Sequence, residues 1–413
     1  MAARSLACST VLCATGAFVA VSNVKAEGFL DDAKANLTLR NFFINRNFVD
    51  PAYPQAKGQE WTQNFIFDAK SGFTQGTVGF GLDVLGLYSV KLDGGAGTRG
   101  TGLLPVHANN EPADDYGRLA VAAKAKVSKT VLKVGEWAAT LPILRSDDGR
   151  SLPQTFRGAQ LTSNEIDNLT LYGGRMNANS PRDDASMQAF TYAGVKSDHF
   201  DFVGGEYTFN DKRTLLGVWD ARLEDIYRQQ YFNVLHSQAV GAWTLGANLG
   251  YFIGREDGSE RAGKLDNRTF SGLFSARYGM NTFFVGVQKV SGKNGWMRVN
   301  GASGGTLAND TYNSTYDNAG ERSWQLRHDY DFAALGIPGL TLMNRYLQGS
   351  HVHTATVSDG KEWGRETEIA YTVQSGVLKR LTLRLRDSTL RRDFSSNAFN
   401  EDRLIVSYPF SVL

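Results

Sequence analysis

The chain has 413 residues, of which 42% are hydrophobic and 11% aromatic, and its formal net charge at pH 7 is +2. A nearly neutral chain without a polybasic run has no basic surface for nucleic acid, so nucleic-acid-binding classes are excluded. Its 44 glycines against 9 prolines fit a protein of many short strands better than a helical one.

The first predicted element is a cleavable export signal over residues 1–26. A short basic region precedes an uncharged apolar stretch from Leu6 to Val21, and small residues follow it. We expect the mature chain to begin at Glu27, with a formal net charge of zero because two basic residues leave with the signal. Both cysteines leave as well, so residues 27–413 are predicted to hold neither a disulfide nor a thiolate metal site.

Segments with a two-residue period recur along the rest of the chain. In "RLAVAAKAKV" (118–127), "WTLGANLGYFI" (243–253) and "FSGLFSARYG" (270–279), apolar residues alternate with polar or small ones. Such alternation is typical of strands with one apolar and one polar face. No apolar run of about 18 residues follows the signal, so no transmembrane helix is predicted.

The predicted connections between strands come in two sizes. Tight turns are predicted at 128–130, 210–212 and 279–281. Long polar loops are predicted at 91–117, 141–165, 254–268 and 291–321. Short turns that alternate with long loops are typical of an up-and-down barrel in an outer membrane.

A soluble β-sandwich has the same local periodicity, so other features must separate it from a barrel. The export signal favours the barrel, as do hairpins that fill the chain without a linker. Aromatic residues toward strand ends, as an interfacial girdle requires, favour it too. They are Trp61, Trp219, Trp243, Tyr278, Trp324, Tyr346, Tyr371 and Tyr408.

We therefore predict an all-β fold: one transmembrane up-and-down antiparallel β-barrel over residues 27–413. At the usual length of a strand with its connection, the chain supplies about 18 strands, an even number that leaves an aqueous lumen. Hydrocarbon offers the backbone no partners, so the barrel must close, and closure makes the interior the polar side.

The segment "LTLRLRDSTLRR" (381–392) shows what the two faces carry. Leu383 and Leu385 alternate with Arg384 and Arg386. In a membrane barrel the leucines face lipid, and the two arginines face water in the lumen, roughly 7 Å apart along the wall.

Further arginines have the same setting. They are Arg380, which continues the face of Arg384 and Arg386, and Arg40, Arg345 and Arg403, which lie opposite leucines in their own strands. The first and last strands must pair to close the barrel, so Arg40 and Arg403 are predicted to join this patch of wall. A column of guanidinium groups offers successive bidentate sites for a carboxylate. The alternative is that these arginines pair with lumen acids such as Asp83, Glu366 and Glu368.

Six segments carry a resemblance to a known family. They are "LTLRNFFINRNF" (37–48), "LKVGEWAATLPILRSDDGRSLPQTFRGAQL" (132–161), "LEDIYRQQYFN" (223–233), "YDNAGERSWQLRHDYDF" (316–332), "LTLMNRYLQGS" (340–350) and "DRLIVSYPFSVL" (402–413). The whole chain after the signal resembles the OprD-type substrate-specific porins of pseudomonads, the Occ channel family. The resemblance implies an 18-stranded barrel, a constriction loop folded inward at 141–165, and a ladder of arginines that guides small carboxylates to an eyelet.

The resemblance also assigns residues to the eyelet and the ladder. It implies that Arg150, which precedes the "LPQT" run, is the arginine of the eyelet. It also implies that Arg384, Arg386 and Arg403 belong to the ladder. The resemblance implies acidic or hydroxyl groups opposite the ladder in the 308–321 loop, and the candidates there are Ser314, Tyr316 and Asp317. In the constriction loop, Asp147 or Asp148 is expected to anchor the loop to cations of the wall and leave Arg150 facing the eyelet. Without the family match, a solvated surface loop is the alternative.

These expectations favour a bacterial outer-membrane channel for passive, selective uptake of small organic-acid anions, with no enzyme activity, cofactor or metal site. Its other expected partners are outer-membrane lipid, lipopolysaccharide and the barrel-assembly machinery, and a homotrimer is left open. Three alternatives remain: a general diffusion porin, an outer-membrane barrel enzyme with a Ser or Asp beside a His near the rim, and a secreted sandwich that binds ligands. The apolar C-terminal residue departs from the aromatic one on which many such barrels end.

Overall fold

Eighteen antiparallel strands hydrogen-bond in chain order and close into a barrel in this computed structural model, which describes residues 28–301 and 306–413. The barrel strands are β1 (Lys34–Phe48), β2 (Lys57–Lys70), β3 (Gly79–Asp93), β4 (Asp115–Val127), β5 (Thr130–Trp137), β8 (Thr155–Ser163), β9 (Leu169–Ser180), β12 (Phe200–Phe209), β13 (Thr214–Leu223), β14 (Tyr227–Val240), β15 (Trp243–Glu256), β16 (Asp266–Tyr278), β17 (Asn281–Gly292), β18 (Arg322–Asp331), β19 (Leu340–Val352), β20 (Gly360–Thr372), β21 (Thr382–Arg392) and β22 (Phe399–Ser411). The predicted fold class is confirmed, whereas the predicted export signal lies outside the described residues.

Smaller elements lie in the connections. They are the hairpin of β6 (Thr140–Leu141) with β7 (Leu144–Arg145), the hairpin of β10 (Phe190–Tyr192) with β11 (Val195–Ser197), and 3-10 turns at Val299–Gly301 and Phe332–Leu335. Both helical segments in the described residues are single short turns, far from the length and apolarity that a spanning helix needs.

The barrel closes where β1 pairs with β22, from Asn36 opposite Ser411 to Phe48 opposite Phe399. We call this pair the seam. Every strand of the barrel wall therefore has two neighbours, as a wall surrounded by hydrocarbon requires, because lipid satisfies no backbone N–H or C=O group.

The two rims of the barrel differ in the length of their connections. One rim has tight turns at 128–129, 210–213, 241–242 and 279–280. The other has long loops at 94–114, 138–154, 181–199 and 293–321. In outer-membrane barrels the short turns face the periplasm and the long loops face outside, so the second rim is extracellular.

The predicted constriction loop folds into the barrel, but it is shorter than the predicted range 141–165. It spans residues 138–154, because Thr155–Ser163 is a full barrel strand that pairs with β5 and β9. We call residues 138–154 the inward loop. Its Leu152 is fully buried, and its Ser151 hydroxyl lies 2.9 Å from that of Thr62 on the wall.

The outer face of the barrel is apolar, as the two-residue period predicts. On β21, Leu383 and Leu385 are exposed outward, whereas Arg384 and Arg386 line the interior. Six of the eight predicted girdle aromatics are exposed on the outside, and Tyr408 is half-buried. The eighth, Trp219, is 1% exposed and points inward, so its assignment to the girdle is wrong.

Trp219 points inward because a glycine on the neighbouring strand makes room for it. Gly204 of β12 lies directly opposite Trp219 of β13, and a Cβ on Gly204 would lie 2.2 Å from the indole ring. The indole also stacks on Tyr172, with ring centroids 4.9 Å apart. The ring thus fills the space above a residue that has no side chain.

The interior is not polar all round, which corrects a second expectation. Residues from β4 to β15 bury a large apolar cluster against the inward loop and the 293–321 loop. Its largest fully buried members are Phe156, Phe190, Phe200, Trp219, Tyr227 and Phe252. The two loops bring their own apolar side chains into the barrel, and these need an apolar wall to pack against. The open space is therefore displaced toward the opposite wall.

Replacing Gly204 with Ala tests this packing. The added Cβ overlaps the Trp219 ring, so we expect the free energy of unfolding to fall by about 1–3 kcal/mol. The matched control is Gly173→Ala on the nearby strand β9, where the closest atom to a new Cβ is 3.9 Å away. Heat-modifiable migration of the folded barrel on gels measures both variants, and equal stability of the two would contradict the packing described here.

Candidate functional site

One cavity of about 890 Å³ lies inside the barrel, between the inward loop and the wall formed by β15–β22 and β1. All seven arginines singled out from the sequence line it: Arg40, Arg150, Arg345, Arg380, Arg384, Arg386 and Arg403. They come from β1, the inward loop, β19, the turn before β21, β21 and β22. The seam explains why residues so distant in sequence share one wall, because it joins the first strand to the last.

Three of these arginines surround the ring of Tyr312. The guanidinium carbons lie 3.8 Å (Arg386), 4.6 Å (Arg345) and 5.6 Å (Arg403) from its centroid. Tyr312 belongs to residues 306–321, which we call the inner segment, and which turn into the barrel after the gap in the described chain. A cation over an aromatic face is attracted by the quadrupole of the ring. The ring of Tyr312 therefore lies between three guanidinium groups and attracts each of them, which offsets part of their mutual repulsion.

Polar contacts fix the position of Tyr312. Its hydroxyl donates to Glu368 at 3.2 Å, and its backbone N–H donates to Glu366 at 3.2 Å. Burial raises the pKa of Tyr312 to about 12, so the phenol stays neutral at physiological pH.

Each of the three arginines around Tyr312 has a carboxylate partner. Arg345 pairs with Glu366, Arg386 pairs with Glu368, and Arg403 pairs with Glu401 at 2.5 Å. The sequence had left open a pairing with lumen acids, and the structure brings Glu366 and Glu368 to this role.

The remaining acid named for that role, Asp83, lies elsewhere. It contacts Lys124 and Lys133, each at 2.6 Å. Its charge is therefore matched by lysines of β4 and β5 rather than by an arginine of the cavity.

Arg384 and Arg380 are more accessible than the arginines around Tyr312. The side chain of Arg384 is 34% exposed, and its closest carboxylate oxygen, on Glu368, is 4.0 Å away and already bound by Arg386. Arg380 is exposed, but it does not continue the strand: β21 begins at Thr382, and Arg380 lies in the preceding turn with φ of 78°. It therefore stands at the periplasmic mouth of the cavity.

The inward loop is held by ion pairs at its tip. Asp148 receives two hydrogen bonds from Arg40, at 2.7 and 3.2 Å, and Arg40 also donates to the carbonyl of Arg150 at 2.9 Å. Asp147 pairs with Arg182 of the 181–199 loop. Arg150 is 7% exposed and donates to the carbonyl oxygens of Thr101 and Gly149, both at 2.9 Å.

The three candidates from the 308–321 loop lie in the inner segment but away from the cavity lining. Ser314 accepts from Arg392 at 2.8 Å, Tyr316 is 1% exposed, and Asp317 pairs with Arg298 at 3.1 Å. The sequence placed this loop opposite the arginines, whereas the structure lays it against β18–β22, the wall that carries several of them. In these positions the three side chains support the inner segment itself.

Sequence reasoning missed Tyr312 and Arg182. Both lie in irregular segments, where no two-residue period says which way a side chain points. For Tyr312 the available signal was an aromatic residue inside the polar stretch "NDTYNST" (309–315). For Arg182 it was an arginine next to a proline in a long loop.

One group of possible metal ligands occurs in the described part of the chain, on the outer rim and away from the cavity. His199, Asp201 and Glu224 offer atoms within 4.8 Å of one another. Arg175 already binds Asp201 at 2.6 Å, and Arg222 lies 3.3 Å from Glu224. Because guanidinium groups compensate both carboxylates, the cluster is better explained as an ion-pair network than as a metal site.

Comparison with known proteins gives a consistent result across the chain. The model of a family described as outer membrane porin, OprD family, matches residues 27–412. The porin-like protein GalP of Pseudomonas putida is 64% identical over 392 residues, 94% of each chain. The crystal structure of Pseudomonas aeruginosa OccK2 (OpdF) with glucuronate is 62% identical, covers 94% of this chain and all of its own, and has a TM-score of 0.87. That of Pseudomonas aeruginosa OpdK with vanillate is 51% identical, covers 93% and all of its own, and has a TM-score of 0.89.

The ring of Tyr312 is expected to set the width of the cavity beside the arginines. In Tyr312→Ala, the ring and its contacts with Arg345, Arg386 and Arg403 are lost, so we expect a higher single-channel conductance in planar bilayers, by about twofold. Tyr312→Phe keeps the ring and loses only the hydrogen bond to Glu368, so its conductance should stay close to that of the parent chain. A conductance that changes equally in both variants would assign the effect to the hydroxyl instead.

Proposed function

The chain belongs to the OprD family of outer membrane porins, and we propose that it forms a passive channel selective for small solutes that carry a carboxylate. The observation that carries this proposal is the convergence of eleven arginines, among them all seven predicted from the sequence, on one cavity of about 890 Å³. Guanidinium groups are permanently charged and bind carboxylates through two parallel hydrogen bonds, which makes them suited to this class of solute.

The pairing of these arginines supports transport rather than tight binding. Arg345, Arg386 and Arg403 already hold carboxylates, so a passing anion gains only part of the attraction that an unpaired guanidinium would give. Conduction requires sites attractive enough to enter and weak enough to leave. The anion thus moves from site to site down its gradient without an energy source or cofactor, drawn in by the field of the lumen.

The relatives solved with ligands support the choice of carboxylates. The ligand of OccK2 is glucuronate and that of OpdK is vanillate. One is a sugar acid and the other an aromatic acid, so a carboxylate is the group that they share. For this chain we propose recognition of the carboxylate only and not of the rest of the solute. The proposal therefore includes aromatic acids, aliphatic acids and amino acids.

The same proposal covers export and partners. Residues 1–26 direct the chain across the inner membrane and are removed, and the assembly machinery then inserts the barrel among outer-membrane lipid and lipopolysaccharide. A general diffusion porin is the rival function, and it is distinguished by a flux that rises linearly with carboxylate concentration and does not saturate.

Arg384 is the clearest single test because its removal leaves no buried carboxylate unpaired. Arg384→Ala is expected to lower carboxylate flux about fivefold, because an accessible cation is lost from the cavity while Glu368 keeps Arg386. Swelling of liposomes with benzoate and with a neutral sugar measures the effect, and sugar flux should stay unchanged.

The matched control for Arg384→Ala is Arg365→Ala. Arg365 is on the neighbouring strand β20, points outward, and pairs with Asp387 at 2.8 Å with its side chain 59% exposed. Arg365→Ala removes the same charge, but from the outer face of the wall, so benzoate flux should not change. Full benzoate flux through the Arg384→Ala channel would refute the arginine pathway.

Salt is expected to weaken carboxylate uptake. Raising the ionic strength from about 0.1 M to about 1 M shortens the Debye length from about 10 Å to about 3 Å. The field of the lumen is then screened, so the half-saturating concentration of benzoate should rise about tenfold in single-channel recordings. A half-saturating concentration independent of salt would mean that recognition does not depend on the arginine charges.

A further inference from the structure

A second cavity, of about 500 Å³, lies on the extracellular side of the first. It is bounded by the 94–114 loop, the 181–199 loop and Arg46 of β1. Among the described residues, only Arg150 and Arg182 line both cavities. These two side chains therefore lie on the boundary between the outer cavity and the main one, and we call them the partition.

The two partition arginines are held in different ways. Arg150 is 7% exposed and donates to the carbonyls of Thr101 and Gly149. Arg182 instead pairs with the carboxylate of Asp147, and the two side chains are 27% and 26% exposed. Water reaches this ion pair, so its partners can exchange, whereas Arg150 is fixed by the backbone around it.

We propose that Asp147 is a built-in competitor of the transported anion, and that a permeating carboxylate replaces it on Arg182. The inference rests on the proposed carboxylate function and makes Arg182 a specificity-determining residue. The chemistry of the exchange is symmetrical: one carboxylate leaves the guanidinium as another arrives, and no proton or covalent bond changes. The partition then opens to carboxylates in preference to solutes that cannot bind Arg182.

The surrounding structure lets Arg182 change partners without moving the chain. Its carbonyl accepts a hydrogen bond from the hydroxyl of Tyr116 at 2.9 Å. Arg118 donates to the carbonyls of Pro181, at 3.3 Å, and Asp184, at 2.6 Å. These contacts pin the backbone on both sides of Arg182, so rotation of its side chain is sufficient.

Asp147 keeps a hydrogen bond when its ion pair with Arg182 is broken. Its Oδ1 atom accepts the backbone N–H of Gly149 at 2.8 Å, and this bond does not involve Arg182. The next residue, Asp148, keeps the loop on the wall through its two hydrogen bonds with Arg40. The inward loop therefore keeps its shape while the ion pair opens.

Two substitutions that break the same ion pair should have opposite effects. Asp147→Asn removes the competitor but keeps the acceptor for the Gly149 N–H, so the half-saturating concentration of benzoate should fall about fivefold. Arg182→Gln removes the binding group, so that concentration should rise about fivefold. Single-channel recordings of the full-length channel in planar bilayers, titrated with benzoate, measure both.

The opposite signs separate the proposal from a purely structural role. If the ion pair only anchors the loop, both variants lose the same anchor and shift the half-saturating concentration in the same direction. A common shift, or no shift in either variant, overturns the proposal. Asp147→Ser, which also keeps an acceptor near the Gly149 N–H, is measured beside Asp147→Asn so that one poorly folding variant does not decide the result.

A control pair and the parent channel complete the experiment. Arg175→Gln and Asp201→Asn break an ion pair of 2.6 Å on the outer rim and should leave benzoate binding unchanged. Failure of the proposed function itself would appear in the parent channel, as benzoate currents that do not saturate. A parent channel that saturates, with variants that do not move in opposite directions, would reject the exchange at Arg182 alone.

Discussion

The wall must satisfy every backbone hydrogen bond within itself, because the hydrocarbon around it offers none. That constraint pairs the first strand with the last and leaves no strand edge open. It also fixes the direction of each side chain, since successive residues of a strand point to opposite faces. On β21, Leu383 and Leu385 then face lipid, and Arg384 and Arg386 face the interior.

Several arginines share the small space of the interior, and their like charges repel one another. Taking a charge out of water costs several kcal/mol unless it is paired and hydrogen-bonded. The arginines are paired with carboxylates from the same strand or a neighbouring one, and three guanidinium groups surround the ring of Tyr312. The positive charge is thereby partly compensated but stays on one wall of the cavity.

The sequence predicts the arrangement of the strands, because their residues alternate with a two-residue period. Alternation in "LTLRLR" predicts which residues face lipid, and pairing of the first and last strands predicts that Arg40 and Arg403 share a wall. The period says nothing about residues in irregular loops, so Tyr312 and Arg182 were not identified. It also cannot show that Gly204 leaves room for Trp219 inside the barrel, or that two loops pack apolar side chains into the lumen, because both depend on contacts between distant segments.

The positions of the arginines along the chain determine when the arginine-lined wall forms. Arg40 lies on the first strand, and Arg384, Arg386 and Arg403 lie on the last two. While those strands are still separated, an unfinished sheet carries Arg40 on one edge and Arg403 on the other, so the arginines do not share one wall. Closure of the barrel and completion of the arginine-lined wall are therefore the same event, the pairing of β1 with β22.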